Sequence, residues 1–124
     1  KNIFFIDFQE EISEVYKTAF CYLSASKSEG LPLSVLEAIT SGCNLVLSNI
    51  NAHEEIIRDL NMKTDNLFEL NEFENLKDKI VNIKKFNRKT LEHHVLKSRQ
   101  IYSSEVMAKE YFIMYKKLIN EKQS

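Results

Sequence analysis

The stretch "SEGLPLSVLEAITSG", residues 28–42, contains both glycines and the only proline of the 124-residue chain, together with two glutamates, Glu29 and Glu37. Backbone-shaping residues that are scarce elsewhere are concentrated in one segment, which marks it as a place where the chain must turn, start a helix and stop it. Gly30 lacks a Cβ, so it permits a sharp turn and lets a ligand come close to the main chain. Pro32 suits the first position of a helix, where its fixed φ is already helical and its missing N–H would have had no partner. Gly42 then reads as the left-handed C-terminal cap.

A helix that starts at Pro32 leaves the amides of Leu33, Ser34 and Val35 pointing outward with no intrahelical acceptor. With the helix dipole, they form an anion site suited to phosphate. Helical side chains lean toward the N-terminus, so Glu37 reaches back over the first turn. Glu29 and Glu37 would then flank the anion. Carboxylates repel a bare phosphate but accept hydrogen bonds from hydroxyl groups, which fits a diphosphate carrying a sugar on one side and a ribose on the other. The same spacing also fits a plain capping box from Ser34 to Glu37, with Glu29 a solvated loop residue, and spacing alone leaves both readings open.

Outward from this segment, strand-like apolar runs alternate with helical patterns. Strands are expected at 2–6, 20–25, 43–48 and 66–70, and helices at 10–19, 32–41, 52–60, 72–85, 89–101 and 104–120. Strands that are apolar nearly throughout and separated by helices predict a parallel, doubly wound α/β sheet of Rossmann-like type. In such sheets ligands bind beyond the carboxyl ends of the strands, and residues 28–42 directly follow the second expected strand.

Composition narrows the class. At 44% hydrophobic residues the chain can bury a core, and no apolar run approaches the length of about 20 residues that spans a bilayer. The start, "KNIFFIDFQEE", lacks the pattern of a signal peptide, so a cytoplasmic location is expected. Cys21 and Cys43 lie in apolar runs and read as reduced core thiols, without metal-ligand spacing. The formal net charge of −1 divides unevenly: residues 1–78 carry six Lys and Arg against fourteen Asp and Glu, and residues 79–124 carry eleven against four. This imbalance fits two solvated faces; an acidic partner or an anionic membrane surface is the alternative. The basic tail has no groove-reading motif or aromatic stacking platform, which argues against nucleic acid. His93 and His94 carry no ligand spacing and read as surface residues.

The run from Ser26 to Gly42, followed by "NLVLS" and "SNINAHEEII", resembles the donor-binding half of retaining glycosyltransferases of family 4, which have the GT-B fold. Their E-x7-E hallmark is met by Glu29 and Glu37, set among Gly30, Leu36, Ala38, Gly42 and Ser48 at family spacing. The resemblance implies transfer of a sugar from a nucleotide diphosphate sugar with retained configuration, without an essential metal or other cofactor. It implies that Glu29 contacts the donor sugar near the anomeric centre and that Glu37 binds the ribose. The backbone around Gly30, Leu31, Leu33 and Ser34 would hold sugar hydroxyls and diphosphate. Pro32 departs from the glycine of many members and offers no amide. Ser48, Ile50, His53 and Glu55 match members with S-x-I-x-x-H-x-E, where ordering a loop and capping a helix is the expected role.

On this resemblance, residues 1–86 form part of a nucleotide-sugar-binding domain, the C-terminal half of a GT-B enzyme. Residues 87–124 supply helices that pack on it and on an N-terminal acceptor half. Basic residues that neutralise diphosphate in the family have no equivalent before Phe20 except Lys1 and Lys17, and Lys27 reads as a solvated loop residue. The expected chain is therefore an enzyme fragment, inactive alone, from an enzyme building a surface polysaccharide or a lipid-linked glycan. It could act at the inner face of a membrane and self-associate through apolar surface left uncovered on the last helix, including Met107, Tyr111, Met114, Tyr115 and Leu118. A non-catalytic nucleotide or phosphosugar binding module is the competing reading.

Overall fold

The computed structural model describes residues 3–83 and 88–121. Helices α1 (Ile12–Thr18), α2 (Leu33–Thr40), α3 (Asn51–Asp59), α4 (Phe73–Val81), α5 (Arg88–Tyr102) and α6 (Ser104–Glu121) accompany strands β1 (Cys21–Ser24), β2 (Asn44–Ser48) and β3 (Leu67–Phe68). The strands form one parallel sheet in the order β1-β2-β3, with Cys21 opposite Asn44 and Leu47 opposite Leu67. The α/β class and parallel sheet expected from the alternation are present. Two successive right-handed crossovers that step in one direction place their helices on the same face of a sheet. Accordingly Val35, Leu36, Ala38 and Ile39 of α2 share one core cluster with Ile56 and Ile57 of α3 and with Leu45 and Leu47 of β2. Val46, between those leucines, is equally buried but lies outside the cluster, as strand alternation requires. The central strand is therefore covered on both faces.

Of the strand expected at 2–6, the described residues 3–6 have no regular structure, and Phe5 is 97% exposed. An apolar run becomes a strand only when a neighbour supplies hydrogen bonds, and none does so among the described residues. The strand expected at 66–70 shortens to Leu67–Phe68, because it meets only the end of β2 and Asn66 is already in a 3-10 turn. Beyond it, the Asn75 side chain caps the Glu69 amide at 3.1 Å. Positions 84 and 85 of the helix expected at 72–85, the boundary between 86 and 87, and Lys1 lie outside the described residues.

Gly42 adopts φ +78°. Its amide donates to Ile39 at 2.9 Å and the Cys43 amide to Ala38 at 2.9 Å, the paired bonds of a Schellman cap. Asn61, at φ 54°, ends α3 in the same manner, with Met62 donating to Ile57 at 2.8 Å; asparagine tolerates this conformation better than most residues.

Helix α5 packs along α2 and buries His94 and Ser98. The expectation that both histidines lie on the surface therefore holds for His93 alone. Burial, with His93 and Lys97 adding to it, holds the His94 ring below its ordinary value of 6.5. Helix α6 follows α5, and its Met107, Tyr111, Met114, Tyr115 and Leu118 are exposed among the described residues.

Cys21 and Cys43 are free thiols, Cys43 fully in the core and Cys21 half-buried on the outer strand. Burial raises both above the ordinary 9.0. Burial also raises the Tyr102 hydroxyl above 10.0, reinforced by the hydrogen bond it donates to Asp59 at 2.8 Å. All three groups are neutral when protonated, so the folded chain keeps these protons to higher pH than the unfolded chain. Their contribution is complete below the unfolded values and is lost as pH rises through the raised folded ones. The denaturation midpoint in urea is therefore expected to fall from about pH 9 upward, with Tyr102→Phe reducing the slope near pH 10; a midpoint level across that range would contradict the burial argument.

Candidate functional site

The carboxyl ends of β1 and β2 open onto two loops, residues 25–32 and 49–50. Each loop runs into a helix whose N-terminus lacks a side-chain cap. Between them lies an open cleft of about 320 Å³ lined by Lys27, Ser28, Glu29, Ile50, Asn51 and Ala52. Its walls are thus the loop after β1 and the first turn of α3.

Helix α2 begins at Leu33, with Pro32 as the N-cap, one residue later than expected for a helix starting at the proline. The Pro32 carbonyl accepts from Val35 at 3.1 Å and from Leu36 at 3.3 Å. The Val35 amide is therefore occupied, which corrects its place among the outward-pointing donors. The amides of Leu33 and Ser34 have no acceptor among the described residues. The capping box does not form: Ser34 sits inside the helix and its Oγ bonds the Tyr22 hydroxyl at 2.8 Å. Tyr22 in turn meets Tyr16 edge-on at 5.6 Å, tying α1 to β1 and to the start of α2.

Gly30 is not in the left-handed region, so no turn there demands glycine. A Cβ placed on it would meet nothing within 4 Å. The space beside its backbone is open, as is the surface around Leu31 and Leu33, both at least half exposed.

Glu29 is exposed, yet one of its oxygens is held: Ser26 Oγ donates to Glu29 Oε1 at 2.6 Å. Glu37 is also exposed, on the side of α2 that faces α1, where its charge is one of several influences that raise the Tyr16 hydroxyl, after burial and Tyr22. The cleft takes in Glu29 but neither Glu37 nor the first turn of α2. It does take in Lys27, which the sequence suggested was a bystander; no pattern in the sequence shows that a lysine two residues before Glu29 faces the start of α3.

His53 is completely buried. Its Nδ1 lies 2.8 Å from the Ser48 carbonyl oxygen and 3.3 Å from Ser48 Oγ. A carbonyl oxygen can only accept, so Nδ1 carries the proton. Ser48 Oγ donates to the Ser26 carbonyl at 2.6 Å, so the loop after β1 is stitched to the end of β2. Asn49 extends the stitching to β3, its amide bonding Phe68 at 2.7 Å and its side chain Glu69 at 2.6 Å. The loop-ordering half of the expected role has this geometry at Ser48 and His53, but the helix-capping half does not form: α3 starts at Asn51 with Ile50 as its N-cap and no side-chain cap. Among the described residues no three His, Cys, Asp or Glu side chains gather as a metal site, and no helix is long and apolar enough to cross a membrane.

A parallel α/β sheet with helices between its strands, and a glutamate-bearing loop and uncapped helix starts at its carboxyl end, defines a Rossmann-like domain. Residues 1–100 match the model of the family "Glycosyl transferases group 1". The chain belongs to that family, and sugar transfer is its chemistry. No curated protein and no solved structure matches the chain.

Proposed function

We propose that the chain is the donor-binding part of a retaining glycosyltransferase with the GT-B fold, similar to family 4, that takes a nucleotide diphosphate sugar. The observation that carries this reading is the opening beside Gly30, where the protein's own packing gives no reason for glycine. In the chain, Gly30 is preceded by Glu29 with its held carboxylate and followed by the free amides of Leu33 and Ser34. In this reading Glu29 meets the donor sugar, Glu37 the ribose, and the backbone of Gly30, Leu31, Leu33 and Ser34 the sugar hydroxyls and diphosphate. Lys27 adds a positive charge at the cleft. Such a site acts by positioning the donor and stabilising charge on the departing diphosphate. No resident metal is part of the proposal.

The exposed apolar face of α6 is proposed to pack on an acceptor-binding half, and the acceptor to be a glycan or lipid-linked sugar. Calorimetric titration with UDP-, GDP- and ADP-sugars tests the donor site. One of the three is expected to bind, with Glu37→Ala weakening it by roughly tenfold, the loss of one hydrogen bond to a charged acceptor. Absence of binding by all three, in the chain and in the enzyme that carries it, would sink the proposal.

A further inference from the structure

An exposed glutamate on a loop ordinarily samples several rotamers, and holding it in one costs side-chain entropy. Glu29 is held by a chain of hydroxyls anchored in the core. Ser26 Oγ donates to Glu29 Oε1 at 2.6 Å and accepts from Ser24 Oγ at 3.2 Å. Ser24 is the last residue of β1 and is buried. The main chain of Ser26 is fixed separately: its carbonyl accepts the Ser48 hydroxyl at 2.6 Å, and Ser48, the last residue of β2, is backed by the protonated Nδ1 of His53. Each hydroxyl spends its single proton in one direction. That of Ser48 goes to Ser26 and that of Ser26 to Glu29, while Glu29 Oε2 has no partner among the described residues.

We propose that Ser26 is a positioning residue for sugar transfer, presenting Glu29 in one rotamer with Oε2 free for a donor hydroxyl, and that Ser24 and Ser48 hold Ser26 in place. The proposal rests on Glu29 meeting the donor sugar. A reacting centre tolerates little displacement: a misplacement of about 1 Å costs roughly 100-fold in rate. A serine that sets the carboxylate therefore acts on turnover more than on donor affinity.

The test uses steady-state kinetics in the enzyme that carries this chain. Ser26→Ala is expected to lower kcat by roughly ten- to a hundredfold, with the donor KM changed by less than about twofold and Ser26→Thr, which keeps the hydroxyl, recovering most of the loss. In a Glu29→Ala background Ser26→Ala should have no further effect, since the group it positions is gone. Ser24→Ala, one step further back, should lower kcat in the same direction by less, and serves as the test if Ser26→Ala does not fold. An unchanged kcat, a change confined to KM, a threonine as damaging as alanine, or a full second loss on top of Glu29→Ala overturns the positioning role. Wild-type turnover in Glu29→Ala alone instead overturns the donor-site reading beneath it.

Discussion

On the proposed donor-site reading, replacing Glu29 by alanine is expected to lower sugar-transfer turnover by roughly 100- to 1,000-fold, the range found when one group stabilising a transition state is removed. The thermal midpoint should be unchanged. Glu29 is exposed and bonded only to Ser26 among the described residues, so its removal leaves no buried partner unsatisfied. This separation of activity from stability distinguishes a functional carboxylate from a structural one. Glu29→Gln refines the test: it keeps an acceptor for Ser26 and loses the charge, so a turnover near that of Glu29→Ala assigns the effect to charge. Transfer at the wild-type rate in both variants would remove Glu29 from the site.

Leu45→Ala is expected to destabilise the fold by about 3–5 kcal/mol, measured as a lower urea midpoint. Leu45 is 0% exposed on the middle strand and packs in the cluster that joins α2 and α3 to the sheet. Truncating it removes apolar contacts and leaves a cavity that neighbours on three elements cannot collapse to fill. The loss is a large part of the roughly 5–15 kcal/mol that holds a domain folded. Leu23, on the outer strand and 42% exposed, gives the comparison: its alanine variant should shift the midpoint by well under half as much. Similar shifts for both leucines would mean that the core is not centred on β2.

Much of the site was legible because its signals are local. Gly42 could be placed as a left-handed cap from one residue type at one position, and its Schellman bonds follow from backbone geometry. The start of α2 could be placed to within a residue, since proline's fixed φ acts wherever the proline stands. The Val35 amide is occupied for a reason no single residue signals: the first turn of α2 is tightened, so the Pro32 carbonyl takes a bond from Val35, three residues on, as well as the one from Leu36. The serine chain was not legible. Ser24, Ser26 and Ser48 are three unremarkable serines in sequence, and only the register that sets Ser24 opposite Leu47 brings the two strand ends together.

The N-terminal run shows the opposite case. Ile3, Phe4, Phe5 and Ile6 have strong strand propensity, yet propensity describes how a side chain fits a pleated surface that must first exist. The buried His94 shows it again, since a histidine pair carries no sign of which ring a neighbouring helix will cover.

By itself, then, the sequence determined the alternation of elements, the parallel class and the segment that turns, starts and stops at the sheet's carboxyl end, because periodicity, proline and glycine act through backbone geometry over a few residues. Only the tertiary structure decided which strands found partners, that Lys27 shares a cleft with the first turn of α3, and that Ser26 holds Glu29. Those depend on hydrogen bonds and packing between residues distant in the chain, whose directions no local pattern encodes.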